Sequence, residues 1–104
     1  MSSILSVTDD TFDREVLGAS GDVLVEFAAT WCKPCQALKP VLEAIAHERG
    51  GTLKVVVVDM DASPNVSNRY KVRGAPTIMV FRGGERVAAQ VGAAPKEKLL
   101  AMLP

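Results

Sequence analysis

Cysteine, histidine and aromatic residues are scarce in this chain. Its 104 residues hold two cysteines, one histidine, one tryptophan, one tyrosine and three phenylalanines. Two cysteines cannot make a disulfide-stapled mini-protein, which needs several bridges. One histidine beside one cysteine pair falls short of the roughly four ligands of a structural zinc site. The longest unbroken apolar run, Leu99 to Leu103, is five residues, against the about 18 of a membrane-crossing helix. An excess of charge is missing too, since 12 Lys+Arg balance 12 Asp+Glu. No global field therefore holds nucleic acid or an anionic membrane. The start, Met1–Ile4, has neither the basic region nor the apolar segment of a signal peptide. These absences lead us to expect a soluble, cytoplasmic protein without nucleic-acid or membrane partners.

A 48% hydrophobic and 23% charged composition is that of a globular chain, and the length suits one domain over residues 1–104. Val7–Phe12 reads as a short strand running into a helix capped by Thr8 or Asp9 and ended by Gly18. Asp22–Ala29 is apolar on both faces, as in a central buried strand. Thr30 is the expected cap of a helix from about Cys32 to Arg49, stopped by Gly50-Gly51. Leu38, Val41, Leu42 and Ile45 share its inner face, and Pro40 should kink it. Leu53–Val58 reads as a second buried strand and Pro64–Tyr70 as a short helix. Thr77–Phe81 and Arg86–Val91 form a hairpin about Gly83-Gly84, and Pro95 opens a last helix. The order β-α-β-α-β-α-β-β-α predicts an α/β sandwich, a mixed sheet with helices on both faces.

The cysteines stand three apart, as Cys32-Lys33-Pro34-Cys35. At a helix start, residues so spaced share one face about 5–6 Å apart, close to disulfide reach. The first lies where free amide protons and the positive helix end favour thiolate over thiol. The second, one turn deeper, is expected to be shielded. Inert core residues, half a zinc site or a structural disulfide compete with a redox pair. Zinc lacks ligands, because His47 lies about three helical turns from Cys35. A loop this small gives a structural bridge little to constrain. Redox use is the stronger reading.

Phe27-Ala28-Ala29-Thr30-Trp31-Cys32-Lys33-Pro34-Cys35 resembles the thioredoxin family. So do Asp9-Asp10 with Phe12, Pro40, Arg73-Gly74-Ala75-Pro76-Thr77, Phe81 with Gly84, and Val91-Gly92-Ala93. The resemblance covers essentially the whole chain. It implies a three-layer α/β/α sandwich on a mixed five-stranded sheet. It also implies reduction of protein disulfides, with Cys32 as nucleophile and Cys35 as resolving thiol. Pro76 matches the family's cis-proline, whose backbone, with that of Ala75, would bind a substrate strand. Trp31, Lys33, Pro34, Gly92 and Ala93 complete the implied substrate-facing set. The family needs no bound cofactor. The expected partners are disulfide-containing proteins and a thioredoxin reductase that draws on NADPH. A more oxidising or glutathione-linked oxidoreductase and a non-catalytic binding module are the alternatives.

The chain departs from the family pattern at several positions. Lys33 replaces the usual glycine, and its ammonium should stabilise a Cys32 thiolate modestly or select acidic partners. Glu26 stands where relatives carry aspartate, and an acid in an apolar strand should have a raised pKa and exchange a proton with Cys35. Val57 replaces a lysine common opposite that acid, which should raise the pKa further. Ala28 replaces a second tryptophan, so fluorescence of Trp31 should report redox state. Residues 1–26 carry six acids and one base, while residues 69–98 carry seven bases and two acids. The basic stretch suits a solvated face better than a partner-facing rim.

Overall fold

The computed structural model describes residues 3–104. Its sheet has the order β1-β3-β2-β4-β5, built from β1 (Ile4–Val7), β2 (Asp22–Ala28), β3 (Leu53–Asp59), β4 (Thr77–Arg82) and β5 (Glu85–Val91). β1 and β2 run parallel to β3, while β4 pairs antiparallel with β5 and with the central β2. Three α-helices accompany it: α1 (Lys33–Arg49), α2 (Pro64–Arg69) and α3 (Lys96–Ala101). The expected mixed five-stranded α/β sandwich is the fold observed.

Strand alternation divides the core into two. Val23, Val25, Phe27, Val56, Val58, Met79 and Phe81 point to one face and pack with Phe12, Val16, Val66 and Tyr70. Leu24, Val55 and Ile78 point to the other, against Leu38, Leu42 and Ile45 of α1 and Leu99 of α3. Glu26 has the parity of the second set, so the register turns a carboxylate toward α1.

The first crossover differs from expectation in its capping. Residues Asp13–Leu17 form a π-helical turn, in which the Gly18 N–H reaches back to the Asp13 carbonyl at 2.8 Å. A Cβ on Gly18 would stand 2.9 Å from the Arg14 carbonyl, which explains a glycine there. Neither Thr8 nor Asp9 caps this turn through its side chain. The Thr8 N–H donates to Thr11 Oγ1 at 2.9 Å, while Asp9 accepts from the Val66 N–H at 2.9 Å and the Asn65 N–H at 3.2 Å. Asp9 thus caps α2, 56 residues away in sequence. Pro40 does not end α1, which continues to Arg49. Gly83 and Gly84 both take positive φ, 59° and 83°, as a tight two-residue hairpin turn requires.

The uneven charge of the sequence closes in space. Arg69 pairs with Asp13 at 2.7 Å and Arg82 with Asp22 at 3.0 Å, joining the basic stretch to the acidic quarter. Lys96 pairs with Glu48 at 2.7 Å. Arg69 also lies 5.9 Å over the Phe12 and Tyr70 rings.

Phe12 is the aromatic hub: it is fully buried, 5.8 Å from Phe81 and 5.6 Å from Tyr70 between ring centroids. Phe12→Ala should therefore cost about 3–5 kcal/mol. Val87→Ala, at a half-exposed position, should cost less than about 1 kcal/mol. Urea unfolding checks both, and similar losses in the two variants would contradict this division of the core.

Candidate active site

The site forms where β2 hands the chain to α1. β2 ends at Ala28, whose carbonyl accepts the Met60 N–H at 2.8 Å and ties the ends of β2 and β3 together. The Cys32 N–H donates to the Ala29 carbonyl at 3.1 Å, closing the turn that carries Thr30 and Trp31. Cys32 then adopts an extended conformation, and its sulfur accepts the Cys35 N–H at 3.1 Å. The helix cap is therefore the Cys32 sulfur itself and not Thr30. Pro34 sits in the first turn, where its missing N–H leaves no helical bond unmade.

Cys32 and Cys35 form a disulfide with Cα atoms 5.3 Å apart, a separation set by one helical turn. Both cysteines are buried, at 3% and 6% exposure, so shielding does not distinguish Cys35 as the sequence led us to expect. Ala29 shares their cluster, with Ala28, Met60 and Ala75 packed around it. Position separates the two: Cys32 caps the helix, while Cys35 lies inside its first turn and lines a cavity with Glu26.

The other sequence-selected residues divide into near and far. The Ala75–Pro76 bond is cis, and the Gly92 N–H donates to the Pro76 carbonyl at 2.8 Å. That bond occupies a carbonyl expected to meet a substrate strand. It also holds Gly92 and Ala93 against the Pro76 loop, while Ala75 touches the cysteine cluster. Trp31 is 65% exposed, and its indole N–H donates to Asp61 Oδ2 at 2.8 Å. Lys33 and Pro34 are exposed beside the disulfide. The sequence reading missed Met60 and Asp61. Their only local signal was the acid pair at the end of β3, where Asp59 Oδ1 accepts the Asp61 and Ala62 N–H groups.

Glu26 is 3% exposed, and its Oε2 meets no donor among the described residues. It opens on a cavity of about 330 Å³ lined also by Ser6, Cys35, Lys39 and Val57. Burial pushes its pKa up to about 7. Val57 is its register partner on β3, so the neighbouring strand offers no cation there. Among the described residues, no group of His, Cys, Asp and Glu is placed to hold a metal ion. No helix there is long and apolar enough to cross a membrane.

A protein-family model described as thioredoxin matches residues 3–104. The chain belongs to the thioredoxin family. It is 46% identical over 99 residues to thioredoxin 1 of Nostoc sp., covering 95% of this chain and 92% of that one. It is 43% identical over 102 residues to thioredoxin C-2 of Corynebacterium nephridii, covering 98% and 94%. It is 46% identical over 101 residues to the thioredoxin of Allochromatium vinosum, covering 97% and 94%. Like other thioredoxins it is an oxidoreductase that exchanges dithiol for disulfide, and the Cys32–Cys35 bridge is its redox-active pair.

The buried acid of this thioredoxin makes stability depend on pH. An unfolded glutamate ionises near 4.5, whereas folded Glu26 keeps its proton to about pH 7. Between those values the folded state binds more protons, so stability falls as pH rises. From about pH 5 to 8 the oxidised protein should lose about 2–3 kcal/mol that Glu26→Gln retains. Urea midpoints across that range check this; parallel profiles for the two proteins would contradict it.

Proposed function

We propose that this chain is a general cytoplasmic protein-disulfide reductase, acting as one monomeric domain and recharged by a flavin-containing thioredoxin reductase that draws on NADPH. The observation that carries this reading is the cap geometry of Cys32. Its sulfur sits 3.1 Å from the Cys35 N–H at the start of a 17-residue helix. There a thiolate gains a hydrogen bond and the positive end of the helix.

The exchange then runs in two steps. The Cys32 thiolate attacks one sulfur of a substrate disulfide, expels the other as thiolate and leaves a mixed disulfide. Cys35 gives its proton to Glu26 and attacks Cys32 Sγ, releasing the second substrate sulfur. Two electrons pass to the substrate and the Cys32–Cys35 bridge reforms. Exposed Trp31, Lys33 and Pro34, with Ala75, Pro76, Gly92 and Ala93, supply the docking surface. The Pro76 carbonyl already accepts the Gly92 N–H, so strand-like pairing falls mainly to Ala75. Lys33 is exposed and screened, so it tunes the couple only modestly.

The test is reduction of insulin with NADPH and thioredoxin reductase. Turnover is expected, Cys32→Ser should abolish it, and Cys35→Ser should accumulate mixed disulfides with protein substrates. Turnover with glutathione alone, or a Cys35→Ser variant that traps nothing, would overturn the reading.

A further inference from the structure

Two buried polar atoms find no hydrogen-bond partner among the described residues, Glu26 Oε2 and Ser63 Oγ. They open on two adjoining cavities. Glu26 lines one of about 330 Å³, and Ser63 lines one of about 280 Å³. The two share a wall made by Ser6, Ala28, Ala29 and Val57. Either has room for several molecules the size of water, whose share of the liquid is about 30 Å³.

The sheet register explains the connection. Glu26 on β2 pairs with Val57 on β3, and Val57 pairs with Ser6 on β1. The three therefore form one row across the sheet, with Ser6 exposed on the edge strand. Neighbouring strands lie about 4.8 Å apart, so Ser6 stands roughly 10 Å from Glu26. One or two bridging waters span what the two side chains leave open. The short side chains of Val57, of Ala28 at the end of β2 and of Ala29 just beyond it leave that space above the sheet. The next row toward the strand ends, Ala28 with Asp59, extends the groove to Ser63.

We propose that a file of water molecules along this groove, anchored by Ser6, solvates ionised Glu26 and carries the proton taken from Cys35 to solvent at the β1 edge. The proposal rests on Glu26 as the Cys35 proton acceptor. In the exchange, the Cys35 S–H bond breaks and a Glu26 O–H bond forms. That proton then passes to the adjacent water, and Ser6 relays a proton outward, accepting one as it donates its own. Glu26 returns to its ionised form, with no change of oxidation state along the file. The other charged groups on the groove are Lys39 on α1, which lines the Glu26 cavity, and Asp59 at the end of β3. Ile78, the register partner of Glu26 on β4, adds no charge. Ser6 is a positioning residue, because it acts on the dithiol only through Glu26.

Multiple-turnover insulin reduction, followed against pH, tests this. Ser6→Leu plugs the groove and should move the acid limb of the profile up by about one pH unit, roughly tenfold in rate on that limb. Ser6→Thr keeps the hydroxyl and should restore the wild-type profile. Ser6→Val suits an edge strand and should repeat the leucine effect should the larger side chain disturb folding. In a Glu26→Gln background, Ser6→Leu should change nothing further. Profiles for Ser6→Leu and Ser6→Val that superimpose on wild type would overturn the proposal. So would an equal slowing with and without Glu26, which marks a general structural effect. Wild-type protein that fails to exchange would instead refute the reductase reading, leaving the two failures distinct.

Discussion

A sulfur atom caps a helix in this protein, and the chemistry of the chain depends on that contact. Serine, threonine, aspartate or asparagine ordinarily accepts the first free amide of a helix. Here Cys32 Sγ accepts the Cys35 N–H, so the helix start and the redox centre are one object. The contact fixes the two sulfurs one turn apart, within reach of each other without backbone movement. It also places Cys32, the proposed nucleophile, where a negative charge is stabilised by donors that cost nothing to orient during reaction. The carbonyl of Ala29 and the end of β3 hold Cys32 in the extended conformation that such a cap needs.

The sheet supplies the second requirement of the proposed exchange, an acid on the cavity that Cys35 lines. Parallel pairing of β2 with β3 sets Glu26 on the α1 face, next to Val57 and on the same cavity wall as Cys35. The part of that face packed under α1 and α3 is apolar, and burial holds the carboxyl protonated to about pH 7. An acid so placed weakens the fold once ionised, yet its proton affinity then suits the proton transfer proposed for it. On that proposal, stability and function oppose one another at this one side chain. The two hydrophobic cores, one of them centred on Phe12, offset the cost.

The elements that rest on local pattern were legible in the sequence. The β-branched run of β3, the glycine pair of the hairpin and the cysteine spacing each encode their structure within a few residues. Glu26 was equally legible, because a lone acid in an apolar strand announces its own desolvation. What escaped was decided across the chain. Asp9 looked like a cap for the turn beside it but serves α2, since tertiary packing brings those amides closer than its own. Thr30 had the better capping chemistry, yet the turn closed by Ala29 put Cys32 at the cap position instead. The burial of Cys32 and the Trp31–Asp61 bond depend on where β3 ends relative to β2, which no spacing in either segment reveals. The imbalance between the acidic quarter and the basic stretch suggested a solvated basic face. It partly dissolves into the Asp13–Arg69 and Asp22–Arg82 pairs.

The central claim is that the capped helix start makes Cys32, and not Cys35, the activated sulfur. Competitive alkylation of the reduced protein near pH 6, well below the about 8.5 at which an ordinary cysteine ionises, tests it directly. The account predicts that iodoacetamide modifies Cys32 first, at least about tenfold faster than Cys35. Equal labelling of the two cysteines, or preferential labelling of Cys35, would contradict it.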